Sequence, residues 1–433
     1  MLELSNQNLE ETCSAIYGDV KHRFRTGAKP YNSKDPLFES HCQYIEARVR
    51  DVFSWIKGEN DNLPDDCELK RLDPEKHFAY LDYKHVSQLQ LPSRDFEKYL
   101  SWDFVGLHGR GANESTLWLG TKGAHTPLHS DSYGYNVVHQ IHGRKKWVLI
   151  PWESYKYLKP TRIPYEESSI YSEINFFMKD ISKEEGYCHM AAREVVLTAG
   201  DTLLVPPKWW HYVECLDNSL SVNTWVPIVN DSEERVKESI VRTLISFVTQ
   251  NVSFSNAENL ILNPNELDIL TESDGEQFNL LKAALISTLE TSCYKTQLPT
   301  VLLKKGKPVP LVSYRNQRTM DIVANLEDKS DHHLESKPLC KVAKLDIVNE
   351  SSVDLMKMVP LIVSKNEWTS STLGHASASY TETSGSLLVD VGSTKSAYNL
   401  ELPTLFTKAV THPDVVELIS EKLFELVKAS ELH

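Results

Sequence analysis

The stretch Gly123-Ala124-His125-Thr126-Pro127-Leu128-His129-Ser130-Asp131, taken with Pro206-Pro207-Lys208-Trp209-Trp210-His211 further on, decides the fold. On a β-strand, side chains at i and i+2 share a face. His129 and Asp131 therefore point one way and Ser130 the other. A third ligand must come from another strand. His211 follows Gly200-Asp201-Thr202-Leu203-Leu204-Val205, a turn leading into an apolar run that reads as a buried strand. Two imidazoles and one carboxylate, without a thiolate, suit a facial Fe(II) site with positions left open for a co-substrate and O2. An H-x-D alone is a weak signal in a chain with 16 histidines and 60 acidic residues. Its neighbours carry the decision.

Thr126 lies three residues before His129, and Asn136, Gln140 and Gly143 follow, leading to Arg144-Lys145-Lys146-Trp147. A hydroxyl and an ammonium near a metal suit the far carboxylate of a dicarboxylate such as 2-oxoglutarate. Three adjacent cations otherwise read as a wet surface. Period-two alternation sets Lys145 on the face of Trp147 and Leu149, with Arg144 and Lys146 opposite, so Lys145 is the inward candidate.

Leu117-Trp118-Leu119-Gly120-Thr121 with Gly123 to Asp131, and Trp209-Trp210-His211-Tyr212-Val213-Glu214 with Ser221-Val222-Asn223-Thr224-Trp225, resemble the core and the distal-histidine region of the JmjC family of Fe(II)- and 2-oxoglutarate-dependent oxygenases. Glu114-Ser115-Thr116-Leu117-Trp118, Asp131-Ser132-Tyr133-Gly134 and Pro160-Thr161-Arg162-Ile163-Pro164-Tyr165-Glu166-Glu167-Ser168-Ser169 are similar to the branch of that family associated with a small heat shock protein. The resemblance runs from about Arg23 to Ile245, roughly half the chain, with a weaker echo in the last helix.

The resemblance implies roles. His129, Asp131 and His211 would hold Fe(II), and Thr126 and Lys145 the far carboxylate of 2-oxoglutarate. Asn136 and Asn223 would lie near its chelating end or the O2 site. Tyr80, in Phe78-Ala79-Tyr80-Leu81-Asp82, resembles a co-substrate tyrosine, with a core tyrosine as the rival reading. His125, His139 and His142 receive no role. The implied activity is oxidative decarboxylation of 2-oxoglutarate to succinate and CO2, coupled to hydroxylation of a protein side chain. One alternative is a catalytically weak or inactive binding protein that regulates a small heat shock protein. Another is a histone or protein lysine demethylase, which ranks lower because no chromatin-reading module accompanies the barrel. A zinc or metal-free cupin module that binds a small ligand ranks last.

The expected architecture is α+β with a mostly β core. It is a double-stranded β-helix (jelly-roll, cupin-like) with N-terminal and C-terminal helices and a partly disordered C-terminal tail. Residues 1–114 flank the barrel, 115–230 form its core (the whole JmjC unit about 23–230), and 231–300 extend it with helices. Residues 301–404 read as a low-complexity linker and 405–433 as an amphipathic helix. Residues 1–19 read as a helix, and 40–57 as another from the spacing of Tyr44, Ile45, Val49, Val52, Phe53 and Ile56. Related chains carry a further strand before the first helix; the expectation here is a shortened N-terminus with an open sheet edge. The insert 152–190 is read either as lining the mouth of the site or as a packed loop.

Asp231-Ser232-Glu233-Glu234 matches a capping box, followed by Val236, Ile240, Leu244, Phe247 and Val248 on one helical face. Residues 276–292 place Phe278, Leu281, Ala284, Leu285 and Leu289 together, and the last helix carries Val416, Ile419, Leu423, Leu426 and Val427. These C-terminal helices suit a homodimer or simple packing on the barrel.

Formal charge is −14, from 46 basic and 60 acidic side chains. The absence of a long Lys/Arg run argues against nucleic acid. The seven cysteines are scattered and form no C-x-x-C, which fits a reducing compartment. The first residues are polar and acidic, and no apolar run is long enough to span a membrane. The expectation is a cytoplasmic protein, with the nucleus left open, that meets a protein substrate or partner.

Overall fold

The computed structural model describes residues 8–29, 35–89, 100–162, 169–177, 181, 186, 189–251, 274–293, 300–303, 307–308, 345–348, 361–363 and 402–430. Helix α1 (Leu9–Tyr17) starts at Asn8, whose side chain accepts the Glu10 N–H at 3.0 Å. Strand β1 (Lys21–Ala28) then pairs antiparallel with both β2 (Gln43–Arg48) and β3 (His77–His85). The helix expected over 40–57 is only half present. Gln43–Arg48 is a strand, registered from Lys21↔Arg48 to Thr26↔Gln43, and only α2 (Val49–Ile56) is helical. Ile45 and Ala47 are buried, with exposed Glu46 between them and partly exposed Tyr44 and Arg48 on either side, a period of two. The short apolar run fits both periods, and the open edge of β1 decides between them.

Ten further strands build the barrel and its insert: β4 (Thr116–Gly120), β5 (His125–Asp131), β6 (Tyr135–His142), β7 (Lys145–Ile150), β8 (Pro160–Thr161), β9 (Ser169–Ser172), β10 (Arg193–Leu197), β11 (Thr202–Val205), β12 (Trp210–Cys215) and β13 (Ser219–Val226). The larger sheet contains the order β11-β6-β13-β4-β3-β1-β2, and the smaller is β10-β7-β12-β5-β9-β8. The pairings between these strands are antiparallel, in the crossed-over order of a jelly roll.

Apolar side chains on one face of the larger sheet, among them Phe24, Leu81, Leu117, Leu119 and Val222, pack with Ile16, Tyr17, Val52 and Phe53 of α1 and α2. The smaller sheet puts Leu128, Val148, Ile150, Trp210 and Tyr212 against Leu158, Ile174, Phe176 and Met190 of the insert. The described part of the insert is thus a loop with its own small core. Thr161 and Arg162 are buried rather than aimed at the mouth, while Ser169 does line the cavity; the rest of the Pro160–Ser169 run, 163–168, lies outside the described residues.

Helices α3 (Asp231–Asn251) and α4 (Asp274–Cys293) pack on each other beside the barrel. Asp231 does not cap its own helix in the expected way. Its carboxylate accepts the Gly134 N–H at 2.7 Å and the Ile228 N–H at 3.0 Å, tying the helix to the β5–β6 turn. The buried face of α3 is Val236, Ile240, Val241, Ile245 and Val248, and Phe247 is 57% exposed. On α4, Gln277 and Thr288 are buried, Leu281, Ala284 and Leu285 are partly buried, and Phe278 is 60% exposed. Most of the faces read in the sequence are turned inward; Phe247 and Phe278 are the exceptions, and buried Gln277 and Thr288 hydrogen-bond to α3.

Short strands β14 (Thr300–Leu303), β15 (Lys307–Pro308), β16 (Leu345–Val348) and β17 (Leu361–Val363) fall in the stretch expected to be an unstructured linker. β17 pairs with β11 in the register Thr202↔Val363 and buries Ile362 in the barrel core. Its three apolar residues suit a covered sheet edge. The disorder expected over 369–386 lies outside the described residues. The final helical segment is two helices, α5 (Leu402–Val410) and α6 (Pro413–Ser430), with Val416 and Leu423 turned to α3 and Ile419 and Leu426 exposed. No helix among the described residues is long and apolar enough to cross a membrane.

Candidate metal and co-substrate site

His129 and His211 are register partners across β5 and β12, so their side chains leave the smaller sheet side by side, with ring centroids 4.1 Å apart. Asp131 joins them two residues along β5. The register of β5 and β12 shifts between His211 and Val213. Pro127, which has no N–H to give to the ladder, is accommodated at that irregularity.

His129 Nε2 lies 3.5 Å and His211 Nε2 3.8 Å from Asp131 Oδ1. One ligand atom from each of the three residues falls within 4.8 Å of the others, the only such group of His, Cys, Asp and Glu among the described residues. The Nδ1 atoms are committed elsewhere. That of His129 donates to the Pro127 carbonyl at 2.8 Å and that of His211 to the Trp209 carbonyl at 3.0 Å. These bonds fix the tautomer and leave both Nε2 lone pairs facing inward. The other carboxylate oxygen, Asp131 Oδ2, accepts the Trp225 indole N–H at 2.8 Å.

Burial opposes ionisation of Asp131, but the neighbouring His211 and His129 and the Trp225 bond outweigh it and hold the carboxyl down to about 2. Burial, then repulsion from His129, lowers His211 to about 4. Near neutral pH, Asp131 is therefore ionised and His211 neutral, the protonation states in which they ligate a metal. The donor set fits a divalent ion that accepts nitrogen and oxygen.

The triad opens into a cavity of about 710 Å³ between the two sheets. Lys145, 1% exposed, enters this cavity from β7. Its ammonium donates to Ser221 Oγ at 2.9 Å and approaches Tyr80 Oη at 3.4 Å. Tyr80 in turn is within hydrogen-bonding reach of the Thr126 hydroxyl. Burial lowers the Lys145 pKa. Among the described residues no carboxylate forms an ion pair with it; Asp82, the nearby candidate, bonds Arg25 Nε at 2.6 Å. A buried ammonium without a counter-charge is costly unless a ligand supplies one. Lys145, Tyr80, Ser221 and Thr126 thus set one ammonium and three hydroxyls together in the cavity, groups that could hold a carboxylate.

Arg144 and Lys146 behave as the alternation predicts: they point outward and pair with Asp217 and Glu214. Asn136 and Asn223 meet, with Asn223 Nδ2 donating to Asn136 Oδ1 at 2.8 Å, and Trp118 Nε1 donates to Asn223 Oδ1 at 2.8 Å. His125 stacks on Phe177 and His139 bonds the Thr202 hydroxyl, so neither joins the triad. Ser221 and Trp225 were missed in the sequence. A signal was there, because both stand two residues from Asn223 on β13 and so share its face.

Fold and site together define a jelly-roll protein with two histidines and one carboxylate inside the barrel cavity, placed so that they could hold a metal ion. The chain belongs to the JmjC-type cupin-like domain family, whose model, described as a cupin-like domain, matches residues 4–232. It is similar to HSPB1-associated protein 1 homolog of Danio rerio, at 34% identity over 326 residues, covering 71% of this chain and 72% of that protein. It is also similar to HSPB1-associated protein 1 of Bos taurus, at 39% over 247 residues, covering 57% of this chain but only 50% of the relative. A more distant likeness is to Lysine-specific demethylase JMJ30 of Arabidopsis thaliana, at 31% over 125 residues, 28% of each chain.

Proposed function

We propose that the chain is an Fe(II)- and 2-oxoglutarate-dependent oxygenase that hydroxylates a protein, with a small heat shock protein as its partner or substrate. The observation that carries this reading is Lys145, a buried cation without an ion-pair partner among the described residues, set in the same cavity as the triad. His129, Asp131 and His211 would hold the metal through Nε2, Oδ1 and Nε2. Lys145, Tyr80 and Thr126 would take the far carboxylate of 2-oxoglutarate. When bound, iron with 2-oxoglutarate and O2 supplies the oxidising power that releases succinate and CO2 and places oxygen on a substrate C–H bond. Trp225 orients Asp131, and the Asn136–Asn223 pair presents amide groups to the same cavity. Buried Trp147, stacked beside His211, helps keep bulk water from the metal side.

The names of the Danio rerio and Bos taurus relatives support the small heat shock protein as partner. The proposed location is the cytoplasm. Hydroxylation is favoured over lysine demethylation because the demethylase likeness spans 28% of the chain. The test is conversion of 2-oxoglutarate to succinate with Fe(II), ascorbate and O2, beside His129→Ala. Succinate that disappears in His129→Ala is the expected result. No succinate together with no binding of metal or 2-oxoglutarate would leave a binding protein that regulates a small heat shock protein.

A further inference from the structure

The side of the cavity away from Lys145 is built differently from the metal side. Strand β3 is irregular here: its register with β4 shifts between Leu81 and Lys84, and Tyr83 holds φ 48. A positive φ on a bulky residue is strained and is retained where the surroundings enforce it. A bulge re-aims side chains. This one brings Tyr83 and Lys84 to the cavity together, where an unbroken strand would turn them to opposite faces. Tyr83 packs against Trp118 with ring centroids 4.6 Å apart. On the neighbouring strands the Arg23 guanidinium lies 4.1 Å from the centre of the Tyr44 ring, and both line the same cavity.

The charge at this mouth is opposite to that of the chain. Formal net charge is −14, yet Arg23 and Lys84 stand at the opening. Among the described residues, the carboxylates lining the cavity are Asp82, bonded to Arg25, and Asp131, in the triad. Lys84 forms no ion pair among the described residues. Burial lowers the pKa of His22 and His85, and the Lys84 charge lowers both further, so its field reaches its neighbours.

We infer that the mouth recognises an acidic polypeptide segment. Carboxylates flanking the target residue meet Lys84 and Arg23, and an apolar or aromatic neighbour rests on the Tyr83–Trp118 platform. This rests on the oxygenase reading only in taking the occupant of the inner cavity to be the target side chain. A polypeptide is favoured over nucleic acid because, among the described residues, the mouth offers Arg23 and Lys84 and no basic stripe, whereas a nucleic-acid site neutralises many phosphates.

The test uses the full chain with Mn(II) and 2-oxoglutarate, and fluorescein-labelled peptides of equal length in which leucine alternates with glutamate, glutamine or lysine. Binding is read by anisotropy. The glutamate peptide is expected to bind about tenfold tighter than the glutamine one, with an advantage that shrinks as salt rises. Lys84→Glu with Arg23→Glu should abolish that preference and gain the lysine peptide, a gain that misfolding does not produce. Lys84→Gln provides a milder variant and should lower the preference part-way. Equal binding of the glutamate and glutamine peptides, binding of none, or stronger binding of a labelled oligothymidylate would each overturn the inference. Because binding is read without turnover, charge-selective binding without triad-dependent succinate would sink the oxygenase reading alone. Triad-dependent succinate without charge-selective binding would sink this one alone.

Discussion

Lys145 concentrates the chemistry of the site in one side chain. Its ammonium is buried against Ser221 and Tyr80, and burial lowers its pKa. Between that lowered value and the ordinary lysine value of 10.5, the unfolded chain binds a proton that the folded chain does not. Stability contributed through this group therefore rises with pH across that window. Lys145→Met keeps the bulk and removes the charge. The ligand-free variant is expected to be at least as stable as the parent, to lose this part of the pH slope in denaturant titrations, and to bind 2-oxoglutarate in the presence of Mn(II) more weakly by about 2 kcal/mol or more. Unchanged 2-oxoglutarate affinity by calorimetry would show that Lys145 does not hold the carboxylate. Trp225 acts one step back, by holding Asp131 Oδ2 so that Oδ1 faces the two imidazoles. Trp225→Phe is expected to weaken Mn(II) binding about 10–100-fold. Equal affinity would show that the β5 backbone alone orients Asp131. His129, Asp131 and Lys145 were legible because strand alternation is strict and each lies within a strongly patterned strand. Ser221 and Trp225 were legible in principle, by the same arithmetic applied to β13.

At the level of elements, one buried carboxylate joins three parts of the chain. Glu238 on α3 accepts two bonds from Arg162 at 2.7 and 2.8 Å and one from the Ser132 hydroxyl at 2.7 Å. Ser132 directly follows Asp131, and Arg162 follows β8, so the helix, the insert and the end of β5 share one acceptor. In the sequence Arg162 belonged to an insert read either as lining the mouth or as a packed loop, because nothing local marks a partner 76 positions away. Tertiary pairing of this kind is invisible to periodicity, and the same reason hid β2 within an apparent helix. Removing one member of a buried pair leaves the other without its counter-charge. Glu238→Gln is expected to cost about 3–5 kcal/mol in urea denaturation. Replacing both residues with methionine should recover most of that loss. A cost under about 1 kcal/mol, the range of exposed pairs, would show that water reaches the pair and that the three elements are held by packing.

Across the whole molecule, the barrel hides its apolar surface well while the C-terminal helices do not. Phe247 on α3, Phe278 and Leu280 on α4, and Leu418 and Leu426 on α6 are all exposed, Leu418 by 65%. The sequence placed Phe247, Phe278 and Leu426 in helical stripes but not Leu280 or Leu418, and periodicity gave no sign of the Gln277 and Thr288 bonds to α3. Exposed large apolar side chains mark an interaction surface when they form a continuous patch. A homodimer uses one such surface twice, and self-complementarity is met most simply by a two-fold axis. A homodimer through these side chains of α3, α4 and α6 is the outcome expected if they form such a patch. Light scattering coupled to size exclusion should give twice the chain mass, and Phe278→Glu with Leu280→Glu should halve it without changing the far-ultraviolet circular dichroism. A monomer mass for the parent that does not move with concentration would end the dimer. The helices would then serve the barrel alone, through the Glu238 and Asp231 contacts that fix the turn after Asp131.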